Sequence, residues 1–139
     1  MTDRKATTVW TGTLFEGSGE TSFESSGIGT YPVSWPARTE EPNGKTSPEE
    51  LIAGAHSACY SMAFSNALAK NETPAEKLEV SAVVTFVPGT GITKSALSVV
   101  GTVPGIDAAK FTELAEAAKA GCPVSQALSI EITLDASLA

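Results

Sequence analysis

The amino-acid sequence predicts an α+β fold in which helices pack against antiparallel sheets. Three strand-like segments rich in Thr, Val and aromatic residues precede one long apolar helix, and two alternating segments, two helical segments and a last strand follow it. The predicted order is therefore βββ, α, ββ, αα, β. A chain of 139 residues is most economically one domain with its own hydrophobic core. We expect a single domain over residues 1–139.

The N-terminal segments have the composition of strands. Residues 5–16 and 20–28 are rich in Thr, Val and aromatic side chains, and residues 17–19, Gly-Ser-Gly, separate them. This pattern predicts a β-hairpin. Residues 30–35 predict a short third strand, and the polar, proline-containing residues 36–46 predict a loop.

A long helix is predicted to begin after Ser47. Ser47 suits the N-cap, Pro48 suits the first helical position, and Glu50 lies where it would close a capping box. We expect this helix to end near Asn71. Its interior, residues 51–69, is small or apolar on nearly every face, so the helix must be buried on most faces. A partner chain would help to cover it.

The second half of the chain predicts two strands, two helices and a strand. Residues 77–87 and 92–103 alternate between polar and apolar side chains on either side of a Pro-Gly-Thr-Gly turn, which favours an antiparallel pair. Residues 107–120 have helical spacing, with Asp107 as the cap and Gly121 as the stop. A short helix follows at Pro123, and residues 129–135 predict the last strand.

Charge and composition exclude several classes of partner. The formal net charge is −7, which leaves no basic patch to neutralise phosphates, so neither nucleic acid nor an anionic membrane surface is an expected partner. The N-terminal residues lack the apolar core of a signal peptide, and no apolar run reaches the roughly 18 residues that a membrane span needs. We expect a cytoplasmic protein.

The two cysteines are the candidates for chemistry. Cys59 and Cys122 are 63 residues apart, so they form no C-x-x-C motif, and one histidine with two cysteines is a poor donor set for zinc. Cys122 precedes a proline that can open a helix, and the positive end of that helix favours a thiolate. Cys59 lies inside an apolar helix, where burial raises a thiol pKa. By sequence physics alone Cys122 is the better nucleophile, and Cys59 is equally well explained as a small buried side chain.

His56 lies three residues before Cys59, on the same helix face. A Cys–His pair, as in a cysteine hydrolase, is one interpretation. A structural histidine that is hydrogen-bonded within the helix layer is the favoured one. Nothing else in the sequence indicates an acyl-transfer site.

Three sequence blocks resemble the OsmC/Ohr family of thiol peroxidases. They are TSPEELIAGAHSACYSMAFS at residues 46–65, AKAGCPVSQAL at residues 118–128, and SWPAR at residues 34–38. The histidine of the first block is typical of the OsmC branch. The resemblance extends over the whole chain in length and element order. It implies an OsmC-like fold, with antiparallel sheets packed around long central helices in an intertwined homodimer.

The resemblance also implies an activity and its residues. Family members reduce organic hydroperoxides, and hydrogen peroxide less readily, without metal, haem or flavin. The resemblance makes Cys59 the peroxidatic cysteine and Cys122 the residue that resolves its sulfenic acid as an intrachain disulfide. An external dithiol, in relatives a dihydrolipoyl group, would restore both thiols. It assigns Arg38 to the thiolate and peroxide oxygen, and Glu49 to the orientation of Arg38.

The separation of Glu49 and Cys59 along the predicted helix bears on how the chain assembles. On one continuous helix, ten residues separate Glu49 from Cys59 by ~15 Å along the axis. Two copies of the helix that pack antiparallel, with a two-fold axis near Gly54, would bring Glu49 of one chain level with Cys59 of the other. We therefore expect composite sites at a dimer interface. The rival is that Arg38 reaches Glu49 through a break in the helix at Gly54.

Substrate shape and rival functions complete the sequence predictions. Several aromatic and aliphatic side chains could line an apolar pocket: Trp35, Tyr60, Met62 and Phe64. Packing in the core is an equally good explanation for each of them. A general thiol–disulfide oxidoreductase would exchange with protein disulfides, and the lack of C-x-x-C argues against it. A non-catalytic dimeric binding domain would keep the fold without using either cysteine.

Overall fold

The structure is a computed structural model that describes residues 1–139. The chain consists of two compact units, Met1–Leu51 and Ile52–Ala139. The boundary between the units falls within the long helix. That both units form one domain stays a prediction. No helix has the combination of length and apolar character that crossing a bilayer requires.

The first unit begins with a three-stranded antiparallel sheet. It consists of β1 (Thr7–Thr11), β2 (Ser18–Ser22) and β3 (Thr30–Val33) in the order β1-β2-β3. The predicted hairpin is confirmed, but the prediction of its turn at residues 17–19 was wrong, because residues 12–17 make the turn. Gly19 pairs with Trp10 inside the sheet. A Cβ at Gly19 would lie 2.8 Å from the Trp10 ring, so the glycine serves close packing.

A one-turn helix, α1 (Trp35–Thr39), occupies part of the segment that was predicted to be a loop. The Ser34 hydroxyl caps it by accepting a 3.2 Å hydrogen bond from the Ala37 N–H. Pro36 lies in its first turn, where a missing N–H costs nothing. Ser34 and Pro36 mark the start of this helix in the sequence. The polar residues 39–46 that follow are typical of a loop, which is why a loop was predicted for the whole segment.

The long helix, α2 (Pro48–Lys70), is continuous and closely matches the prediction. Ser47 caps it by accepting a 3.1 Å hydrogen bond from the Glu50 N–H. The Glu50 carboxylate does not close the predicted box; it accepts a 2.6 Å hydrogen bond from the Thr46 hydroxyl. The helix runs through Gly54 without a break, so the break proposed by the rival interpretation is absent.

One face of α2 is uncovered in the single chain. Its exposed members recur at helical spacing and are mostly small or apolar, and Met62 is 72% exposed. We call this face the α2 stripe and define it by Ala55, Ala58, Met62 and Ser65. The expectation that one chain cannot cover this helix alone is therefore confirmed.

The second unit contains the second sheet, with strand order β4 (Lys77–Val87), β5 (Gly91–Thr102) and β6 (Glu131–Leu138). β4 and β5 pair antiparallel, as predicted. β6 pairs parallel to β5, so the prediction of purely antiparallel sheets was wrong. The two helices between these strands form a crossover that brings the chain back to run in the same direction, as parallel pairing requires.

The crossover consists of α3 (Ala108–Gly121) and α4 (Pro123–Ala127). Asp107 caps α3 by accepting a 2.8 Å hydrogen bond from the Lys110 N–H, and the helix ends at Gly121, as predicted. A core of aromatic side chains joins α3 to α2. The Phe64 ring lies 5.7 Å from Tyr60 and 5.2 Å from Phe111. Cys122, between α3 and α4, borders this core.

Candidate active site

Arg38 and Glu49 form an ion pair within the first unit. The guanidinium donates from Nε and from Nη2 to Glu49 Oε1, at 2.9 and 2.8 Å, and Nε also lies 3.2 Å from Oε2. The Glu49 side chain is 9% exposed and that of Arg38 is 26% exposed. The carboxylate thus fixes the orientation of the guanidinium by more than one hydrogen bond, which gives the pair a defined geometry.

Local structure explains why these two residues meet. Arg38 lies in the last turn of α1 and Glu49 in the first turn of α2. A carboxylate is favoured at the N-terminus of a helix, and a cation is favoured at a C-terminus. The Arg38 guanidinium also lies 5.9 Å from the ring centroid of Trp35, a cation–π distance.

Arg38 lines an apolar cavity of about 180 Å³. It is the only charged residue in the lining, and Ser34 contributes the only hydroxyl. The remaining lining residues are aromatic or aliphatic: Trp10, Leu14, Val33, Trp35 and Pro48. The cavity therefore presents one cationic group to a ligand that is otherwise apolar.

The second unit brings the two cysteines together. Both are free; Cys59 lies on α2 and is partly buried, whereas Cys122 lies between α3 and α4 and is fully buried. The two thiols are near enough to influence each other: Cys122 raises the pKa of Cys59, and Cys59 lowers the pKa of Cys122. Residues that are 63 positions apart in the sequence thus form a thiol pair.

The two thiols differ in acidity. Burial raises the pKa of Cys59, the Val124 N–H lowers it in part, and the neighbouring Cys122 raises it further. Burial also raises the pKa of Cys122, but donors from the Ser125 N–H, the Cys59 thiol, the Ser125 hydroxyl and the Val124 N–H outweigh it and lower the pKa overall. In the single chain Cys122 is the more acidic thiol, as its position before Pro123 predicted.

His56 is held between two serine hydroxyls. Its Nδ1 lies 2.7 Å from Ser95 Oγ, and its Nε2 lies 2.8 Å from Ser125 Oγ. Burial lowers the pKa of His56, which favours the neutral ring. Both ring nitrogens are occupied, so the favoured structural interpretation agrees with the geometry and a Cys–His ion pair does not.

The predictions for the pocket lining had different outcomes. Trp35 lines the apolar cavity. Tyr60 and Phe64 are fully buried in the core, which agrees with the alternative of core packing, and Met62 lies on the α2 stripe. Trp10 and Leu14 also line the cavity and were not predicted, because their strand and turn positions gave no signal of a shared cavity. Ser95 and Ser125, the hydrogen-bond partners of His56, were not predicted either. No three His, Cys, Asp or Glu side chains are arranged to hold a metal ion.

Comparisons with known proteins agree with the sequence resemblance. Residues 41–137 match the OsmC family, described as OsmC-like protein. The chain is 42% identical over 138 residues to the peroxiredoxin OsmC of Escherichia coli (strain K12), a match that covers 97% of this chain and 96% of that protein. An identical level of similarity relates it to the peroxiredoxin OsmC of Shigella flexneri.

Solved structures share the fold. An OsmC-like protein of unknown function from Vibrio cholerae O1 biovar eltor str. N16961 has a TM-score of 0.76 at 18% identity, with 98% of this chain and 99% of that chain covered. The organic hydroperoxide resistance protein OhrB of Bacillus subtilis has a TM-score of 0.69 at 20% identity, with 97% and 98% covered. At these identities the similarity concerns the architecture.

Proposed function

Because the chain belongs to the OsmC family, we propose that it is a thiol peroxidase that reduces organic hydroperoxides to alcohols. The observation that carries the proposal is the pair of free cysteines, Cys59 and Cys122, which are near enough to shift each other's pKa. A cysteine peroxidase of this kind needs one thiolate to attack and a second thiol within reach to resolve the product.

The first step uses Cys59. Its thiolate attacks the terminal oxygen of the hydroperoxide, the O–O bond breaks, and the alkoxide leaves and takes up a proton to become the alcohol. Cys59 becomes a sulfenic acid, having supplied the electron pair. A guanidinium near the reacting atoms would stabilise both the thiolate and the departing alkoxide, which is the role we assign to Arg38 with Glu49 as its orienting partner.

The second step uses Cys122. Its thiolate attacks the Cys59 sulfur, a disulfide forms, and hydroxide leaves and is protonated to water. An external dithiol, which could be a dihydrolipoyl group, then reduces the disulfide through exchange and returns both cysteines to the thiol form. The mutual effect of the two thiols on their pKa values supports this pairing.

A cation near the sulfur would favour the Cys59 thiolate. The groups that set its pKa include no positive charge, and burial raises it. We propose that Arg38 of the partner subunit supplies that charge in an intertwined homodimer. Along the axis of the continuous α2, Glu49 and Cys59 of one chain are ~15 Å apart. Two such helices that pack antiparallel about a two-fold axis near Gly54 would place Glu49 of one chain level with Cys59 of the other. The uncovered α2 stripe supports such packing.

The substrate class follows from the cavity. An organic hydroperoxide has a polar peroxide end and an apolar body, and the cavity offers one guanidinium among aromatic and aliphatic side chains. Hydrogen peroxide has no apolar body, so it would gain nothing from these side chains. We therefore propose a preference for organic hydroperoxides. A cytoplasmic location would suit recycling of the thiols, because that compartment is reducing.

Consumption of cumene hydroperoxide by the pre-reduced protein, without added thiol, tests the cysteine roles. We expect Cys122→Ser to consume about one equivalent per chain and Cys59→Ser to consume none, because only the peroxidatic thiolate reacts with peroxide. The reverse pattern would make Cys122 the attacking residue. If neither variant nor the unmodified protein consumes peroxide, the protein is not a peroxidase.

Mixed dimers test the cross-chain site. Arg38→Ala and Cys59→Ser are each expected to be inactive alone. Co-expressed, they would form dimers in which one site combines intact Cys59 with intact Arg38, which restores about one quarter of the activity for random pairing. No recovery in purified mixed dimers would show that Arg38 and Cys59 act within the same chain.

A further inference from the structure

His56 is a buried titratable residue that the proposed mechanism leaves unused. We propose that His56 is a positioning residue for the second cysteine, and that a buried relay of Ser95, His56 and Ser125 keeps the Ser125 hydroxyl directed at the Cys122 sulfur. The role of Cys122 as the resolving residue rests on the proposed function. The relay itself does not, because it is a property of the resting thiols.

The relay joins three elements at a fully buried point. Ser95 on β5 and His56 on α2 are 0% exposed, and Ser125 on α4 is 8% exposed. The two hydrogen bonds of 2.7 and 2.8 Å use both ring nitrogens. Because β5, α2 and α4 are each rigid elements, these bonds fix where the Ser125 hydroxyl lies with respect to Cys122, which stands immediately before α4.

The direction of each hydrogen bond follows from counting protons. A neutral imidazole donates from one nitrogen and accepts at the other, and a serine hydroxyl has a single proton to give. Ser125 is the third residue of the helix that follows Cys122, and its hydroxyl is one of the groups that lower the pKa of Cys122; in the proposed relay its proton points to the sulfur. Its oxygen must then accept from the Nε2–H of His56, and Nδ1 must accept from the Ser95 hydroxyl.

This direction has a chemical consequence. A hydroxyl that accepts from an N–H is a better donor, since successive hydrogen bonds polarise one another. A donor to the sulfur stabilises the thiolate relative to the thiol. Cys122 must be a thiolate when it attacks the Cys59 sulfenic acid, forms the S–S bond and expels hydroxide. The relay therefore favours the resolving step.

The titratable groups around the relay are few. Cys122 faces Cys59 and Tyr60 from α2, and Glu116 from α3 acts on Tyr60. Burial raises the pKa of Tyr60, so this side chain stays neutral. A change in Cys122 acidity after a serine substitution is therefore attributable to the relay once Cys59 is replaced.

The test is a pH titration of thiolate absorbance near 240 nm in a Cys59→Ser background, where Cys122 is the only thiol. We expect Ser125→Ala to reduce the thiolate fraction at neutral pH by about tenfold, and Ser125→Thr, which keeps a hydroxyl, to restore it. Ser95→Ala is expected to reduce it by about twofold. Ser95 touches His56 in the relay and is not among the groups that set the acidity of Cys122, so its effect must pass through the imidazole. Ser137→Ala, at an exposed position on β6, is the matched control.

Two outcomes would overturn the relay. Unchanged thiolate fractions in both Ser125→Ala and Ser95→Ala would show that neither hydroxyl acts on Cys122. An effect of Ser125→Ala without any effect of Ser95→Ala would leave Ser125 as a local donor and remove His56 from the proposal. Both substitutions shorten a side chain by one oxygen, and circular dichroism verifies folding. The titration needs no peroxide, so a failed peroxidase assay would leave its result intact.

Discussion

Arg38 illustrates what a single residue needs from its surroundings. A guanidinium keeps its charge when it is partly buried, but its five donors assist a reaction only if they are aimed. Glu49 holds two of the guanidinium nitrogens, and the apolar cavity adjoins the same group. The sequence pointed to both residues through the family resemblance, and the structure brings the two together.

We predict that Arg38→Ala lowers kcat/KM for cumene hydroperoxide by about 10²–10³-fold, because a preorganised charge on the developing oxyanion is lost. Arg38→Lys should recover part of this, since a point charge lacks the fork that Glu49 holds. The measurement is steady-state peroxidase kinetics with a dithiol reductant. Arg4→Ala, at an exposed position, is the control and should be unaffected. Wild-type kinetics in Arg38→Ala would exclude Arg38 from the site.

His56 is the only histidine in the chain, so its titration can be isolated. Burial lowers its pKa from the ordinary value of 6.5, and the unfolded chain therefore binds more protons than the folded one below that pH. The contribution of His56 to stability is present above pH 6.5 and is lost as the pH falls. The free energy of unfolding should decrease by at most about 1.4 kcal/mol per pH unit from this group.

Urea unfolding between pH 7 and pH 5, at fixed protein concentration, measures this slope. His56→Gln cannot titrate in the range, so its slope should be smaller than that of the unmodified protein by the His56 contribution. Equal slopes in the two proteins would mean that the imidazole titrates in the folded state as it does in the unfolded chain.

Elements are defined in this protein by short local signals that the sequence displays. Ser47, Asp107 and Gly121 begin or end helices where they were expected to do so, because capping and stopping depend on residues within one turn. The helix α1 was missed although Ser34 and Pro36 marked it. The parallel direction of β6 was missed because strand direction depends on the route of the connection rather than on the strand itself.

Packing between β5 and α3 leads to a prediction at this scale. Gly101 faces the Phe111 ring, and a Cβ there would lie 2.8 Å from the nearest ring carbon and 3.2 Å from Leu78. Gly101→Ala should therefore lower the free energy of unfolding by about 1–3 kcal/mol through overpacking. Chemical denaturation measures this change.

The matched control for that substitution is Gly121→Ala, where a Cβ would meet no atom within 4 Å. Its effect on the free energy of unfolding should stay within about 0.5 kcal/mol. If the two alanines cost the same, the Phe111 ring is free to move aside and the contact does not limit the packing of α3.

At the scale of the whole molecule, the uncovered α2 stripe supports the proposed homodimer. We predict that Ala58→Glu, on that stripe, shifts the protein from dimer to monomer, because a two-fold contact would bury the new charge twice without a partner. Sedimentation velocity measures the shift, and peroxidase activity should fall with it if the sites are shared between subunits.

Ala117→Glu is the control for oligomeric state, because it places the same charge on an exposed alanine of α3. It should leave sedimentation unchanged. A dimer that survives Ala58→Glu would show that the stripe lies outside the interface, and a monomeric unmodified protein would remove the composite site altogether.

The sequence by itself determined the order of the elements except α1, the ends of its main helices, the family, and the four residues proposed for the site. These features are local, or they are carried by blocks such as residues 46–65 and 118–128, so no knowledge of the fold is needed to find them. The family resemblance already implied that Cys59 pairs with Cys122. Only the tertiary structure decided the two serines on His56, the cavity beside Arg38 and the parallel direction of β6. Each of these depends on contacts between residues far apart in the chain, and no spacing in the sequence encodes which distant side chains a folded backbone brings together.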